Sequence, residues 1–389
     1  MKLVPLGYNL RSLFVRRGPT VLTVLGIAAT VATVSGVLAL QQGFRALYAA
    51  TGRTDLGVVL RPGATAEGVS AFTREGADRI IKSTPEFEVG PDGQPLAAME
   101  CFLAVRRYRV DGGETNVPLR GVQPATFRLR GDELRVIEGR SFDPGSDEVI
   151  VGRSITGRIQ DCALGDVLEI NVTPFKVVGI FECDGPFESE IWGDYDRMAA
   201  ALERFGPNRV IAKLKDGADV AALDERLRAD KQTSAALKTE RDYLSAQTEV
   251  LSAILIFLGG FLGVVMGIAA VFTATNTMLS AIAARTYEIG ILSATGFRPF
   301  AIFVSFLFEA VLLGLLGGVL GALAVLPLNG IETGTTNFQT FTEVAFGFRI
   351  TPTVLGTAIA FSLALGVLGG TLPAWRAARL RPTVALRRQ

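Results

Sequence analysis

Few residues of this 389-residue sequence have the types and spacing needed for chemistry. The chain contains no histidine, which excludes Ser-His-Asp and Cys-His catalysis, histidine-ligated metals and histidine pH switches. No lysine follows a glycine, so the sequence has no phosphate-binding loop of the type GxxxxGK[ST]. The sequence therefore predicts a protein that is not an enzyme and that binds no metal, nucleotide or other cofactor itself.

The cysteines and some acids of the central region are the remaining candidates for a site. Cys101, Cys162 and Cys183 are an odd number in a region that we predict below to be extracytoplasmic, where disulfides are stable. A Cys162–Cys183 disulfide with one free thiol is one arrangement, and three buried thiols is the other. Four acids lack the spacing of a metal or acid–base site, and we interpret them as solvated surface: Glu188, Glu190, Asp194 and Asp196.

Four long apolar stretches are the elements that must position any site. Hydrophobic residues make up 49% of the chain, and the mean hydropathy is +0.36. A helix needs about 20 residues to cross a bilayer. Four stretches reach that length with Glu309 as their one charge: 19–40, 251–279, 300–328 and 353–373. We predict four transmembrane helices, the first a retained anchor, because its apolar core exceeds that of a cleaved signal peptide.

The distribution of charge predicts the orientation of these helices. Residues 41–250 contain 27 Lys and Arg against 34 Asp and Glu, whereas the rest of the chain contains 12 against 4. Positive charge concentrates in segments that remain in the cytoplasm. We therefore predict that 1–18, the 280–299 loop and the 374–389 tail are cytoplasmic. The 41–250 region and the short 329–352 loop would then lie outside a bacterial inner membrane.

Residues 41–250 have the pattern of a mixed α/β domain. Six strands bounded by turn residues are predicted: 56–60, 102–110, 148–151, 167–172, 175–181 and 210–214. Three helices are predicted over 66–83, 189–204 and 218–230. The flanks 41–50 and 235–250 continue the helical patterns of the first and second spans. The fold class predicted is a four-helix membrane protein with a large α/β domain on a helical stalk.

The segment Ala283–Gly296, which reads AARTYEIGILSATG, directly follows the second span. Its spacing places Ile289 and Leu292 on one side of a short helix, with Tyr287 and Ile291 alongside, and the glycine marks the helix end. Such a helix either presents a surface to a partner or is a plain connector at the membrane interface.

The C-terminal tail begins with LPAWRAARL and is strongly basic. Pro373 is predicted to end the fourth span, and Trp375 suits the headgroup region of the bilayer. Composition alone describes this tail as a positive flank that also attracts anionic lipid.

Glycines recur every four residues in the last three spans, a spacing that lets helices approach closely. Gly259, Gly263 and Gly267 do so in the second span. The pairs Gly314–Gly318 and Gly366–Gly370 do so in the third and fourth. We predict packing within one subunit for the third and fourth spans.

The motifs RTYEIGILSATG and PAWRAARLRPTVALR, with the predicted topology, closely resemble those of FtsX-like permeases of the MacB type. Three outer segments, GRSFDPGSDEVIVGRSI, LGDVLEI and FKVVGIF, are similar to the extracytoplasmic domain of that family. The resemblance covers essentially the whole chain and implies the permease subunit of a type VII ABC transporter. One departure is Ser293, where many relatives have a basic residue.

The resemblance assigns roles to residues of both motifs. The residues that it implies for docking on the ATPase are Arg285, Tyr287, Glu288, Ile289, Gly290, Ile291, Leu292, Ala294 and Gly296. The residues of the C-terminal motif are Pro373, Ala374, Arg376, Ala377, Ala378, Pro382, Ala385 and Leu386. An acid recurs in the family at the place of Glu309. We interpret this acid as a hydrogen-bonding residue within the bundle, with a functional polar site as the alternative.

The resemblance also implies partners and a mechanism. A separate ATPase dimer would bind ATP and Mg²⁺, and a second permease copy would complete a transporter embedded in membrane lipid. An adaptor and an outer-membrane channel are further partners, and nucleic acid is not one. In this mechanism, called mechanotransmission, the first and second spans carry ATP-driven movement to the outer domains.

The size of the outer domain favours export of an amphiphilic or peptide-like substrate. Extraction of lipoproteins or lipids and a signalling role that activates cell-wall hydrolases are the alternatives within the family. A stand-alone polytopic enzyme is the alternative outside it.

Overall fold

Each apolar stretch of the sequence lies in one long helix of the computed structural model, which describes residues 17–49, 52–336 and 342–381. The chain divides into two units. The membrane unit contains residues up to 43, residues 253–331 and residues from 348 onward. The other unit, which we name the outer unit after its predicted location, contains residues 44–252 and 332–347.

Along the chain, one long helix comes first, a region of alternating strands and short helices follows, and further long helices complete the structure. The α-helices are α1 (Arg17–Ala49), α2 (Arg74–Ser83), α3 (Pro124–Arg130), α4 (Arg153–Thr156), α5 (Tyr195–Ala201), α6 (Val220–Ala229), α7 (Glu240–Ala284), α8 (Thr286–Ala294), α9 (Pro299–Val325) and α10 (Pro352–Ala378). The strands are β1 (Leu56–Leu60), β2 (Ala97–Tyr108), β3 (Glu114–Val122), β4 (Leu134–Gly139), β5 (Glu148–Gly152), β6 (Val167–Ile170), β7 (Thr173–Cys183), β8 (Ile191–Asp194), β9 (Arg209–Lys213), β10 (Ala236–Thr239), β11 (Glu332–Thr336) and β12 (Glu343–Gly347).

The four helices α1, α7, α9 and α10 are long and apolar enough to cross a membrane, which confirms the four predicted spans. Two of them begin with proline at the first helical position, where the missing N–H costs nothing. The side chain of Thr351 caps α10 by accepting a hydrogen bond from the backbone N–H of Val354. Helix α7 has 45 residues and is therefore about 68 Å long.

Glycines bring α9 and α10 into near backbone contact. A Cβ at Gly318 would lie 2.0 Å from Oγ of Ser362, and a Cβ at Gly370 would lie 2.2 Å from Cβ of Ala310. Side chains at these positions would force the two helices apart, so the glycine spacing packs the third and fourth spans within one subunit, as predicted. Gly263 of the second span also faces its own subunit, with Val34 of α1 3.3 Å from a Cβ built there.

The outer unit is built on a mixed ten-stranded sheet in the order β10-β1-β9-β2-β3-β8-β5-β7-β4, with β6 on β7. The pairs β3–β8 and β5–β7 are parallel and the other pairs are antiparallel. Helices α2, α5 and α6 contribute side chains to a large apolar core with both halves of the sheet. This arrangement confirms the predicted α/β fold class of the outer region.

Two of the three helices predicted for the α/β domain differ from the structure. The predicted helix 189–204 is strand β8 followed by α5, because Asp194 caps α5 by accepting hydrogen bonds from the N–H groups of Asp196 and Arg197. Strand β8 is buried at every position, so its sequence lacks the alternation that marks a half-exposed strand. The predicted helix 66–83 is a short 3₁₀ turn, Glu67–Val69, and the separate helix α2 capped by Thr73.

The segment between the third and fourth spans is more structured than the predicted 329–352 loop. Strands β11 and β12 form an antiparallel hairpin that belongs to the outer unit. Phe346 of β12 is buried against Phe44 of α1 in an edge-to-face contact with ring centroids 5.3 Å apart. The predicted stalk helix 235–250 is also corrected, because β10 occupies Ala236–Thr239 and α7 begins only at Glu240.

The three cysteines are free and buried, so the Cys162–Cys183 disulfide does not form. Gly165 donates a hydrogen bond to the carbonyl of Val177, which places the Cys162 loop beside the middle of β7. Cys183 lies six residues farther along β7, about 20 Å away. The three residues from Gly165 back to Cys162 span at most about 10 Å, whereas a disulfide requires Cα atoms within about 7 Å.

Candidate functional site

The short helix α8 is the element formed by the predicted docking segment. Helix α7 ends at Ala284, and Arg285 leaves the helical conformation with φ −110° and ψ 12° before α8 begins. The other end is closed by Gly296, whose φ of +91° a residue with a side chain adopts only with strain. The N–H of Phe297 bonds the carbonyl of Leu292, which completes a Schellman motif.

Helix α8 has one buried and one exposed side. Ile289 and Gly290 are buried, whereas Tyr287, Glu288 and Ile291 are about half exposed. Ala294 and Gly296 are also exposed, and Leu292 is half-buried. The predicted pairing of Ile289 with Leu292 is therefore only partly right, and the apolar surface that α8 presents consists of Tyr287 and Ile291.

Ile289 connects the predicted docking segment to the C-terminal motif. It lies in one apolar cluster with Ala374 and Ala377 of α10, both of which are completely buried. The cluster also contains Met278, Ile282, Ile302 and Phe306 from α7 and α9. Two motifs that are about 80 residues apart in sequence thus share a single core, a proximity that sequence spacing does not indicate.

Arg285 points into the protein rather than toward a partner. Its Nη1 lies 3.3 Å from Oε2 of Glu309 on α9, and both side chains are almost fully buried. Glu288 is also near this guanidinium, with its Oε2 3.7 Å from Nε, but is half exposed. We expected Arg285 to contact an ATPase; within this chain its guanidinium forms an internal ion pair, and the contact with an ATPase stays a prediction. Glu309 accepts a hydrogen bond from Arg285 inside the bundle, and its structural role stays a prediction.

Pro373 does not end the fourth helix, contrary to the prediction. Helix α10 continues through it to Ala378, with Pro373 buried, Ala378 half-buried and Arg376 exposed. The guanidinium of Arg379 lies over the ring of Trp375, 4.1 Å from the centroid. The predicted motif residues Pro382, Ala385 and Leu386 lie outside the described residues.

The sequence analysis missed a buried ionic network in the outer unit. Arg120 contacts three carboxylates, with distances of 2.5 Å to Glu67, 3.0 Å to Glu100 and 2.6 Å to Glu190. Arg209 bridges two of them, with Nη1 2.6 Å from Glu67 and Nε 2.7 Å from Glu100. All five side chains are almost completely buried. The interpretation of Glu190 and Asp194 as solvated surface is therefore wrong, since both are buried.

The network compensates the cost of burying its charges. Burial by itself would raise the pKa of Glu100, but the charges of Arg209 and Arg120 lower this pKa to about 2. Hydrogen bonds from Thr126 to Glu100 and from the indole of Trp192 to Glu190 satisfy further oxygen atoms. The detectable signal in the sequence was a charge inside an apolar strand, as in AAMECFL around Glu100.

The first turn of α7 is attached to the same region of the outer unit. Glu240 is fully buried and accepts two hydrogen bonds from Arg130, at 3.0 Å and 2.5 Å. The guanidinium of Arg130 lies 4.2 Å from the ring centroid of Phe187. The hydroxyl of Tyr243, also buried, accepts a hydrogen bond from the backbone N–H of Glu67. The helix that forms the second span therefore begins at a buried, charged attachment.

Four membrane-length helices, a mixed α/β outer unit and a short helix with an exposed apolar side define the class of protein as a membrane permease. The chain belongs to the family of FtsX-like permeases with a MacB-type outer domain: residues 20–230 match the MacB-like periplasmic core domain, and residues 250–382 match the FtsX-like permease C-terminal domain.

Individual relatives are similar at about one residue in four. The macrolide export ATP-binding/permease protein MacB of Chromobacterium violaceum is 26% identical over 95% of this chain and 58% of its own length. The pyoverdine export ATP-binding/permease protein PvdT of Pseudomonas entomophila is 28% identical over 97% of this chain and 58% of its own. This chain thus spans somewhat over half the length of these two relatives.

A relative of similar length is an uncharacterised ABC transporter permease, YvrN, of Bacillus subtilis. It is 26% identical over 98% of this chain and 96% of its own length. Among solved structures, the periplasmic region of MacB from Actinobacillus actinomycetemcomitans is 13% identical, with a TM-score of 0.36 over 49% of this chain and 90% of that one.

Proposed function

We propose that this chain is the permease subunit of an ABC transporter in a bacterial inner membrane, worked by a separate ATPase dimer. The observation that carries the proposal is the two-sided helix α8. Its exposed Tyr287, Glu288 and Ile291 offer a docking surface, while Ile289 and the neighbouring Arg285 attach it to the other helices. A force applied to the exposed side would therefore reach α9 and α10 as well as α7.

The path of that force is α7, in the mechanism of mechanotransmission. This helix runs without interruption from Glu240, paired with Arg130, to Ala284, next to Arg285. Movement of α8 would be carried along α7 to the outer unit. In this proposal both termini and α8 are cytoplasmic, the outer unit is extracytoplasmic, and two permease copies act together.

The composition of the four spans argues against a path for a polar substrate through the bilayer. Ion and solute pathways usually contain charged residues at membrane depth. Within the four apolar stretches, all of which lie in the described part of the chain, Glu309 is the one charged residue, and it is paired with Arg285. Work on the outer side of the membrane requires no such path.

We propose export of an amphiphilic or peptide-like substrate, because two relatives that match 95% and 97% of this chain are named for macrolide and pyoverdine export. An adaptor and an outer-membrane channel would complete such a system. Lipoprotein extraction and activation of a cell-wall hydrolase use the same coupling and remain the second candidates, distinguished by what the outer unit binds.

The proposal is tested by isolating the chain from its native membrane and identifying bound proteins by mass spectrometry. We expect an ATPase with a GxxxxGK[ST] loop to copurify, and Ile291→Arg to reduce its recovery at least tenfold. Val172→Arg is the matched control, since Val172 is an exposed apolar residue of the outer unit and its substitution should leave recovery unchanged. Equal recovery with both variants would contradict docking through α8.

The orientation is tested with a membrane-impermeant maleimide on intact cells. Tyr287→Cys should react only after the membrane is permeabilised, whereas Val172→Cys should react before. Reaction of both residues from the outside would remove the docking surface from the side on which an ATPase works.

A further inference from the structure

Helix α10 contains a proline five residues before its end, and the consequence of this proline involves another helix. Proline has no N–H, so Pro373 cannot donate to the carbonyl of Gly369, four residues earlier. In a hydrocarbon environment an unpaired carbonyl costs free energy, because no water replaces the missing donor. The structure supplies a donor from α7: the hydroxyl of Thr275 lies 2.9 Å from the carbonyl oxygen of Gly369.

This hydrogen bond differs from those of the neighbouring threonines. Thr273 and Thr277 of α7 donate to carbonyls four residues earlier in their own helix, at 2.9 Å and 2.8 Å, as hydroxyls in membrane helices commonly do. Thr275 instead donates across to α10. Such a bond becomes available when a carbonyl of the adjacent helix is unpaired and close, and Pro373 creates that condition.

The two helices are close enough for this bond because of a glycine. A Cβ at Gly369 would lie 2.8 Å from Cβ of Ala274, so only glycine permits this approach of α10 to α7 without displacement. Beyond Pro373, Ala374 and Ala377 pack in the cluster that contains Ile289 of α8. The turns of α10 in which Pro373 interrupts the backbone hydrogen bonds are therefore the turns that pack against α8.

We propose that Thr275 is a positioning residue: its hydroxyl holds the carbonyl that Pro373 frees, and so fixes the last turns of α10 against α7 and α8. Pro373 makes these turns a point at which α10 can change direction, and Thr275 keeps them in one arrangement. The role bears on the proposed function because these turns support the proposed docking helix. The hydrogen bond can be tested on the isolated permease, so the two proposals can fail separately.

The first experiment is a double-mutant cycle on the purified full chain, with the melting temperature as readout. We expect Thr275→Val to lower the melting temperature by about 1–3 °C, while Thr275→Ser and the matched control Thr273→Val leave it unchanged. In a Pro373→Ala background, residue 373 regains its N–H and the hydroxyl becomes redundant. Thr275→Val should then have no further effect. An equal loss in both backgrounds would overturn the proposal.

The second experiment measures position rather than stability. Spin labels at Ala283→Cys on α7 and Arg376→Cys on α10, both exposed residues, report the distance between the helix ends in a chain whose native cysteines are replaced by alanine. We expect Thr275→Val to broaden the distance distribution about twofold and Thr275→Ser to preserve it. A distribution unchanged by Thr275→Val would assign the hydroxyl no positioning role and overturn the proposal, even if the Pro373→Ala variant failed to fold.

Discussion

Arg285, the residue between α7 and α8, is paired with Glu309 of α9 inside the membrane unit, with 3.3 Å between Nη1 and Oε2. The pair ties the junction of the two helices to a third helix at the point where the chain changes direction. An exposed residue at this junction could move without losing a partner. A buried arginine cannot move away from its carboxylate without leaving a buried charge unpaired. We therefore regard the pair as the fixed end of α8.

The first prediction concerns the two carboxylates near Arg285. Glu309→Gln leaves a buried guanidinium without its buried partner and should destabilise the permease by about 3–5 kcal/mol. Glu288→Gln removes the half-exposed partner of the same arginine and should cost no more than about 1 kcal/mol. Thermal unfolding of the two purified variants measures both effects, and equal losses would contradict the assignment.

A second prediction concerns the attachment of α7 to the outer unit. Glu240→Gln removes the buried partner of Arg130 and leaves it only Glu133, which is partly exposed and 3.9 Å away, so we expect a loss of about 3 kcal/mol. Hydrogen exchange of the full chain should show exchange about 100-fold faster in the outer-unit strands. Asp196→Asn is the control, because it removes an exposed ion pair with Arg74 at 2.8 Å and should change exchange little. An equal acceleration by the control would refute the attachment.

The third prediction concerns pH. The pKa of Glu100 is about 2 in the folded chain, against 4.5 for an ordinary glutamate, so its ionised form is stabilised by folding. This contribution is complete above about pH 5 and is lost as the pH falls toward 2. The difference in melting temperature between the wild type and Glu100→Gln should therefore narrow between pH 5 and pH 2. A difference independent of pH would show that the Glu100 charge does not matter.

Sequence reasoning succeeded where the signal is local. The spans follow from uninterrupted apolar length, and the end of α8 follows from Gly296, whose backbone conformation favours glycine. In both cases the determining residues lie within one element, so no knowledge of a distant partner is needed.

Sequence reasoning failed where the deciding partner is remote. Glu190 looks solvated in its own segment, and the positive charge that compensates its burial is that of Arg120, 70 residues earlier. Pro373 looks like a helix end, yet α10 continues through it, and the carbonyl of Gly369 that it leaves without its usual donor accepts a hydrogen bond from Thr275, 94 residues before Gly369. The sequence around a charged or helix-breaking residue does not show whether a partner distant in sequence will compensate it.

The close fit of α9 and α10 limits what any working cycle can do with the last two spans. The glycines at which the two helices approach closely are Gly314 and Gly318 on α9 and Gly366 and Gly370 on α10. They repeat every four residues, or about 6 Å along the helix axis. If one helix slid along the other by less than this distance, larger side chains would clash with the backbone of the facing helix, because the glycines would no longer lie opposite each other. The two helices therefore travel together as one piece, and any sliding has to take place along their other sides.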